Sequence, residues 1–134
     1  MILYFKKLDE RAITPNYGTE FSAGADLYAI LDAPIIIAPG ESVLIHTGIA
    51  AAIPEGYVGL VYARSGIACK RGLAPANKVG VIDSDYRGEI MISLHNHGTY
   101  EQTVFPSERV AQMVITPFIR CEYKETDALD NTER

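Results

Sequence analysis

Apolar residues recur along this chain in short runs cut by Gly, Pro, Asn and Asp, at the spacing of about 8–12 residues expected of an all-β sandwich or barrel. Helical periodicity is almost absent. The runs predict strands at Ile2–Phe5, Ala25–Ile30, Ile35–Ile37, Ser42–Ile53, Tyr57–Ala63, Val79–Ile82, Glu89–His95, Gln102–Phe105 and Arg109–Pro117. Between them, Ala38-Pro39-Gly40, Ile53-Pro54-Glu55-Gly56 and His97-Gly98 supply the fixed or positive φ that hairpins and corners need.

Within Glu89–His95 the alternation is plain. Ile90, Ile92 and Leu94 share one face, and Glu89, Met91, Ser93 and His95 share the other, so one face is expected in the core. Arg109–Pro117 differs: Val110 and Val114 lie on one side, Ala111, Met113 and Ile115 on the other, with Gln112 as a polar intruder. Both faces of that strand are expected to be covered, a neighbouring subunit being one source of cover. From Glu122 to Arg134 the chain turns polar and acidic, which predicts a tail that hugs the surface or frays.

A length of 134 residues bounds this to one domain, large enough for a hydrophobic core without disulfides or metals. With 48% hydrophobic and 22% charged residues, a soluble globular protein is expected. The net charge of −5 opposes nucleic-acid binding, which depends on neutralising many phosphates. It leaves room for a small anion, since a few basic side chains in one pocket overrule net charge locally. Cys69 and Cys121 stand far apart without partners at metal-ligand spacing, as expected in a reducing cytoplasm. Met1 to Leu8 lacks signal-peptide layout, and no apolar run approaches the roughly 20 residues of a membrane span.

Several segments could carry chemistry. Gly80-Val81-Ile82-Asp83-Ser84-Asp85-Tyr86-Arg87-Gly88 sets two carboxylates, a phenol and a guanidinium in one loop between apolar strands. Asp83 follows directly on an apolar run, where a carboxylate can orient and deprotonate a water. On pattern alone, Asp83 and Asp85 fit better as turn formers bonded to their own backbone. Arg64-Ser65-Gly66 ends a strand and fits either a phosphate-binding turn capped by Ser65 or a plain capped turn. Gln112 needs hydrogen-bond partners, from turn backbone or from a ligand. Asp26, after Ala23-Gly24-Ala25, could pair with Arg64 or stay in water. His95 and His97 have strand spacing but no third metal ligand nearby, which favours a solvated strand end.

Taken in order, Ala23-Gly24-Ala25-Asp26-Leu27, Arg64-Ser65-Gly66, Gly80 to Gly88 and Arg109-Val110-Ala111-Gln112 resemble the first four motifs of the trimeric deoxyuridine triphosphatase (dUTPase) family. The resemblance implies a β-jelly-roll-like barrel with one short helical turn at most, a homotrimer with active sites at subunit interfaces, and hydrolysis of dUTP to dUMP and pyrophosphate. By it, Asp83 activates the water that attacks the α-phosphorus, and Mg²⁺, held mainly by substrate phosphates and water, assists. Tyr86 packs on the deoxyribose, while backbone around Val81, Ile82 and Met91, with Asn77, reads the uracil. Arg64, Ser65, Gly66 and Gln112 hold the triphosphate, and Asp26 supports that network.

The family closes its site with a Gly-rich fifth motif bearing a Phe. Here the sequence stops at Asn131-Thr132-Glu133-Arg134, where Arg134 matches the motif's opening Arg that reaches the γ-phosphate. The expectation is a complete fold and trimer with depressed turnover. Two alternatives share the fold. A dCTP deaminase would carry Trp in place of Tyr86 and a catalytic Glu on the strand where this chain reads Ile90-Met91-Ile92-Ser93-Leu94. A non-catalytic nucleotide sensor would have no use for a water-orienting Asp83.

Overall fold

The structure, a computed structural model, describes residues 1–133. Its elements are β1 (Tyr4–Lys7), β2 (Asn16–Tyr17), β3 (Ala25–Tyr28), β4 (Ile35–Ile37), β5 (Ser42–His46), β6 (Ile49–Ala52), β7 (Tyr57–Tyr62), α1 (Ser65–Arg71), β8 (Leu73–Pro75), β9 (Gly80–Ile82), β10 (Met91–Asn96), β11 (Gln102–Val104) and β12 (Arg109–Pro117). The all-β expectation holds, with this one short helix.

Strand order reveals what periodicity alone could not. The largest sheet runs β2-β3-β12-β7-β9, so the last strand is threaded between the third and the seventh. β5-β10-β8 packs against it, and the pairs β1-β6 and β11-β4 contribute to the same core. Leu27, Ile37, Ile45, Ile49, Leu73, Ile90, Ile92, Leu94, Val104 and Val110 are sealed between them. Ile90, Ile92 and Leu94 occupy the face their alternation assigned. On β12, Val110, Ala111 and Met113 are buried, whereas Val114 and Ile115 are only half covered within one chain.

The expected single strand Ser42–Ile53 is broken at Thr47-Gly48. Gly48 has φ +66, and a Cβ there would lie 2.5 Å from Ile30 Cδ1 and 2.9 Å from Ala12 Cβ. Only glycine turns this corner without displacing the core. Thr47 fixes it by donating from Oγ1 to the Ile90 carbonyl at 2.5 Å. Ser65 is not the helix cap either: Arg64 occupies that position with no side-chain cap, and Ser65 is the first helical residue. At the other end Gly72, with φ +69, donates its N–H to the Ala68 and Ile67 carbonyls and stops α1.

The His95–His97 segment departs from a solvated strand end, because Asn96 between the two imidazoles is fully buried. Its Nδ2 donates to the carbonyls of Ile37 and Tyr100, each at 2.8 Å, and its Oδ1 accepts from Gly98 N–H at 2.9 Å. An aliphatic residue would leave the buried Ile37 carbonyl without this partner. Asn96→Ala is expected to destabilise the fold by about 3 kcal/mol, read as a lower urea midpoint at unchanged slope. Residues 118–133 carry neither strand nor helix and are exposed throughout.

Candidate functional site

The short strand β9 pairs with β7 in the register Gly80↔Val61, Val81↔Leu60 and Ile82↔Gly59. Beside this pairing a cavity of about 100 Å³ is lined by Val61, Pro75, Asn77, Gly80, Val81, Ile82, Met91, Ile92 and Ser93. That is room for about three waters or a small flat ring. Four residues singled out from the sequence, Asn77, Val81, Ile82 and Met91, meet there. Its depth relies on Gly80, where a Cβ would sit 3.2 Å from Val61 Cβ.

Asp83 follows Ile82 at the end of β9. Among the described residues its carboxylate bonds to no backbone group. The turn is held instead by Tyr86 N–H on the Asp83 carbonyl at 3.2 Å, and by the Arg87 guanidinium on the carbonyls of Ser84 at 2.6 Å and Tyr86 at 3.0 Å. The backbone-bonded turn reading of Asp83 thus loses its bond. The carboxylate faces an open hollow of about 670 Å³ that also meets Glu55, Asp85, Arg87, Phe118 and Arg120. Tyr86 lies over Gly88, and its hydroxyl donates to the Glu89 carbonyl at 2.8 Å.

A second cluster forms in the middle of the large sheet. Across neighbouring strands Asp26 is level with Gln112, and Gln112 with Tyr62. Gln112 donates from Nε2 to the Ala63 carbonyl at 2.9 Å, the backbone partner its position demanded. Gly24 makes way for that amide: a Cβ there would lie 2.3 Å from Gln112 Oε1. Asp26 is buried, and Arg64 Nε donates to its Oδ1 at 2.6 Å. The other oxygen accepts from Arg109 Nη1 at 3.3 Å. Two guanidinium partners compensate the desolvation of this carboxylate. Arg64 spends its Nε on the pair, which leaves its terminal nitrogens for an anion.

Sequence reasoning placed Arg109 in a motif but gave it no role. A register shift between Arg109 and Ala111 turns Arg109 toward Asp26, and such a bulge leaves no mark on hydrophobic alternation. Ser65 and Gly66 are exposed at the start of α1, and nothing in the chain lies within 4 Å of a Gly66 Cβ. Arg134 lies outside the described residues.

Within one chain the two halves do not converge. Ile82 is level with Gly59, five residues before Arg64, and at ~3.3 Å per residue this sets them roughly 16 Å apart along β7. Asp83 lies beyond Ile82, farther still from the Arg64 guanidinium.

Away from this site, hydrogen bonds from the Arg11 side chain and backbone hold the Asp9 carboxyl well below its ordinary value, at about 2, in an exposed ion pair with Arg11. Asp9 should still carry its charge at pH 3, which an NMR titration of its carboxyl carbon reads. Among the described residues, no three His, Cys, Asp or Glu side chains gather to hold a metal ion, and no helix is long and apolar enough to cross a membrane.

A family model described as dUTPase matches residues 10–134 of the chain. Deoxyuridine 5′-triphosphate nucleotidohydrolase of Paraburkholderia phymatum is 45% identical over 137 aligned positions, covering 100% of this chain and 93% of the relative. Its counterpart in Desulfitobacterium hafniense is 48% identical, covering 99% and 88%. Among solved structures, a variant of the Staphylococcus bacteriophage 80alpha dUTPase with dUpNHpp aligns at TM-score 0.87 and 27% identity, covering 98% of this chain and 92% of that one. A variant of the dUTPase from phage phi11 of S. aureus, described with a structural Mg(II) ion, aligns at TM-score 0.86 and 25% identity over 98% and 100%.

Proposed function

The chain belongs to the dUTPase family and is a dUTP diphosphatase, and from that premise we propose how its residues divide the reaction. The observation that carries the reading is the cavity beside β9, with Asp83 one residue beyond its wall. Uracil enters this cavity, where the backbone of Val81, Ile82 and Met91 and the Asn77 side chain meet its polar edge. The close approach of Gly80 and Val61 leaves no room for the methyl of thymine. Tyr86 lies along the deoxyribose and excludes a 2′-hydroxyl.

Asp83 orients a water, takes its proton and directs the oxygen at the α-phosphorus, and pyrophosphate departs. Arg64, Ser65, Gly66 and Gln112 hold the triphosphate, with Asp26 fixing the Arg64 guanidinium. We assign this second group to a neighbouring copy in a homotrimer, because one chain sets Arg64 and Asp83 too far apart to share a phosphorus. Further support comes from apolar side chains that one chain leaves uncovered, including Tyr4 on β1 and Ile119, Tyr123 and Leu129 on the tail.

Among the described residues the donor set does not form a ready-made metal cage. We place Mg²⁺ on the triphosphate oxygens and water, where it would offset the charge of the departing pyrophosphate. Removal of dUTP keeps uracil out of DNA and yields dUMP for thymidylate synthesis. A cytoplasmic setting accords with the free, exposed Cys69 and Cys121.

Deamination requires a carboxylate facing the base. Glu89, which precedes β10, is turned instead to His46 and the Gly48 N–H. Pyrophosphate release assayed with dUTP, UTP and the four ordinary deoxynucleoside triphosphates tests the reading. The expected result is a kcat/KM for dUTP at least ~100-fold above that for dTTP, with no ammonia from dCTP. Comparable rates for dUTP and dTTP would refute it.

A further inference from the structure

Glu89 is placed to do more than pair with a histidine. The Tyr86 ring rests on backbone at two points: its hydroxyl donates to the Glu89 carbonyl at 2.8 Å, and Gly88 lies beneath it, where a Cβ would sit 2.6 Å from Tyr86 Cζ. The position of the ring is therefore the position of the Gly88-Glu89 backbone. That backbone precedes β10 and is not yet held by strand pairing.

What holds it is the corner between β5 and β6. Glu89 Oε1 accepts the Gly48 N–H at 2.7 Å, and Oε2 lies 2.9 Å from His46 Nδ1. One residue on, Ile90 N–H donates to the Ile49 carbonyl at 2.8 Å and the Ile90 carbonyl accepts from Thr47 Oγ1 at 2.5 Å. The corner has no space for a side chain, because a Cβ at Gly48 would meet Ile30 and Ala12. On the open side of the carboxylate lies a hollow of about 440 Å³ bordered by Leu8, Asp9, Arg11 and Asp32. No packed atoms stand ready to replace the carboxylate if it is shortened.

We infer that Glu89 is a positioning residue for sugar discrimination, its carboxylate anchoring to the His46–Gly48 corner the carbonyl on which the Tyr86 hydroxyl rests. It makes no contact with the substrate in this role. Its effect reaches the nucleotide only through the depth of the Tyr86 ring. The inference rests on the proposal that Tyr86 borders the deoxyribose.

The test compares kcat/KM for dUTP and UTP in the wild type, Glu89→Ala, Glu89→Gln, Tyr86→Phe, Tyr86→Ala and the double variant Tyr86→Phe with Glu89→Ala. In Glu89→Ala the dUTP-to-UTP ratio should fall about fivefold, the worth of one hydrogen bond. Glu89→Gln, which keeps an acceptor for the Gly48 N–H, should stay within about twofold of wild type. Once the hydroxyl is gone in Tyr86→Phe, adding Glu89→Ala should lower the ratio no further. If Tyr86→Ala collapses the ratio while Glu89→Ala lowers only the melting temperature, the role of Glu89 is purely structural and the inference fails alone. A ratio untouched by Tyr86→Ala would instead remove the sugar-contact proposal beneath it.

Discussion

Asp83→Asn is expected to lower kcat for dUTP about a thousandfold, within the range that removal of a general base produces, while KM stays within about threefold of wild type. The asymmetry follows from the geometry. Asp83 stands past the cavity wall and lines an open hollow, so its proposed role concerns the attacking water rather than the hold on the base. Folding should be indifferent to the change, because the turn is held by the Tyr86 N–H and the Arg87 guanidinium, neither of which uses the Asp83 side chain. Equal melting curves beside lost turnover separate a chemical role from a structural one. A variant keeping more than about a tenth of wild-type kcat would sink the assignment of Asp83 as base.

The second large effect is a rescue. Arg64→Lys should also be nearly inactive: lysine keeps a positive charge for the buried Asp26 but loses the free guanidinium nitrogens that would grip phosphate. Neither this variant nor Asp83→Asn should turn over dUTP alone. Co-expressed in equal amounts, they should recover about a quarter of wild-type activity, since random assembly of a cyclic trimer gives that fraction of sites intact Asp83 from one copy and intact Arg64 from another. The prediction has no middle ground. If both residues served the same site from one chain, no mixture of the two variants could contain an intact site, and no rescue would occur.

Much of the architecture is legible in the local pattern. Alternation in Glu89–His95 assigned Ile90, Ile92 and Leu94 to the core, where they lie. Gln112, a polar residue amid apolar neighbours, announced that it needed a partner, and the Ala63 carbonyl supplies it. Asp26 was weighed against Arg64 as a partner, and the two are joined. The resemblance of four ordered motifs to a known family picked out Asn77, Val81, Ile82 and Met91, and these four line the cavity beside β9.

Other features were invisible for a common reason. The break at Thr47-Gly48 lies inside an apolar run, where nothing local distinguishes a corner from a continuing strand; Ile30 and Ala12, distant in sequence, make it a corner. The bulge that swings Arg109 onto Asp26 depends on the register of β12 against β3. The burial of Asn96 between two exposed-looking histidines depends on carbonyls at Ile37 and Tyr100.

By itself the sequence determined that this is a β protein, which faces of its strands turn inward, and which segments carry acids, arginine and glycine in the order of a dUTPase. Those properties follow from side-chain period and turn chemistry, which act over a few residues. Only the tertiary structure decided where β12 is threaded, which groups share the Asp26 carboxylate, and that Asp83 and Arg64 point to opposite ends of β7. Each of these is fixed by strand register, a long-range property that a slip of one residue would reverse.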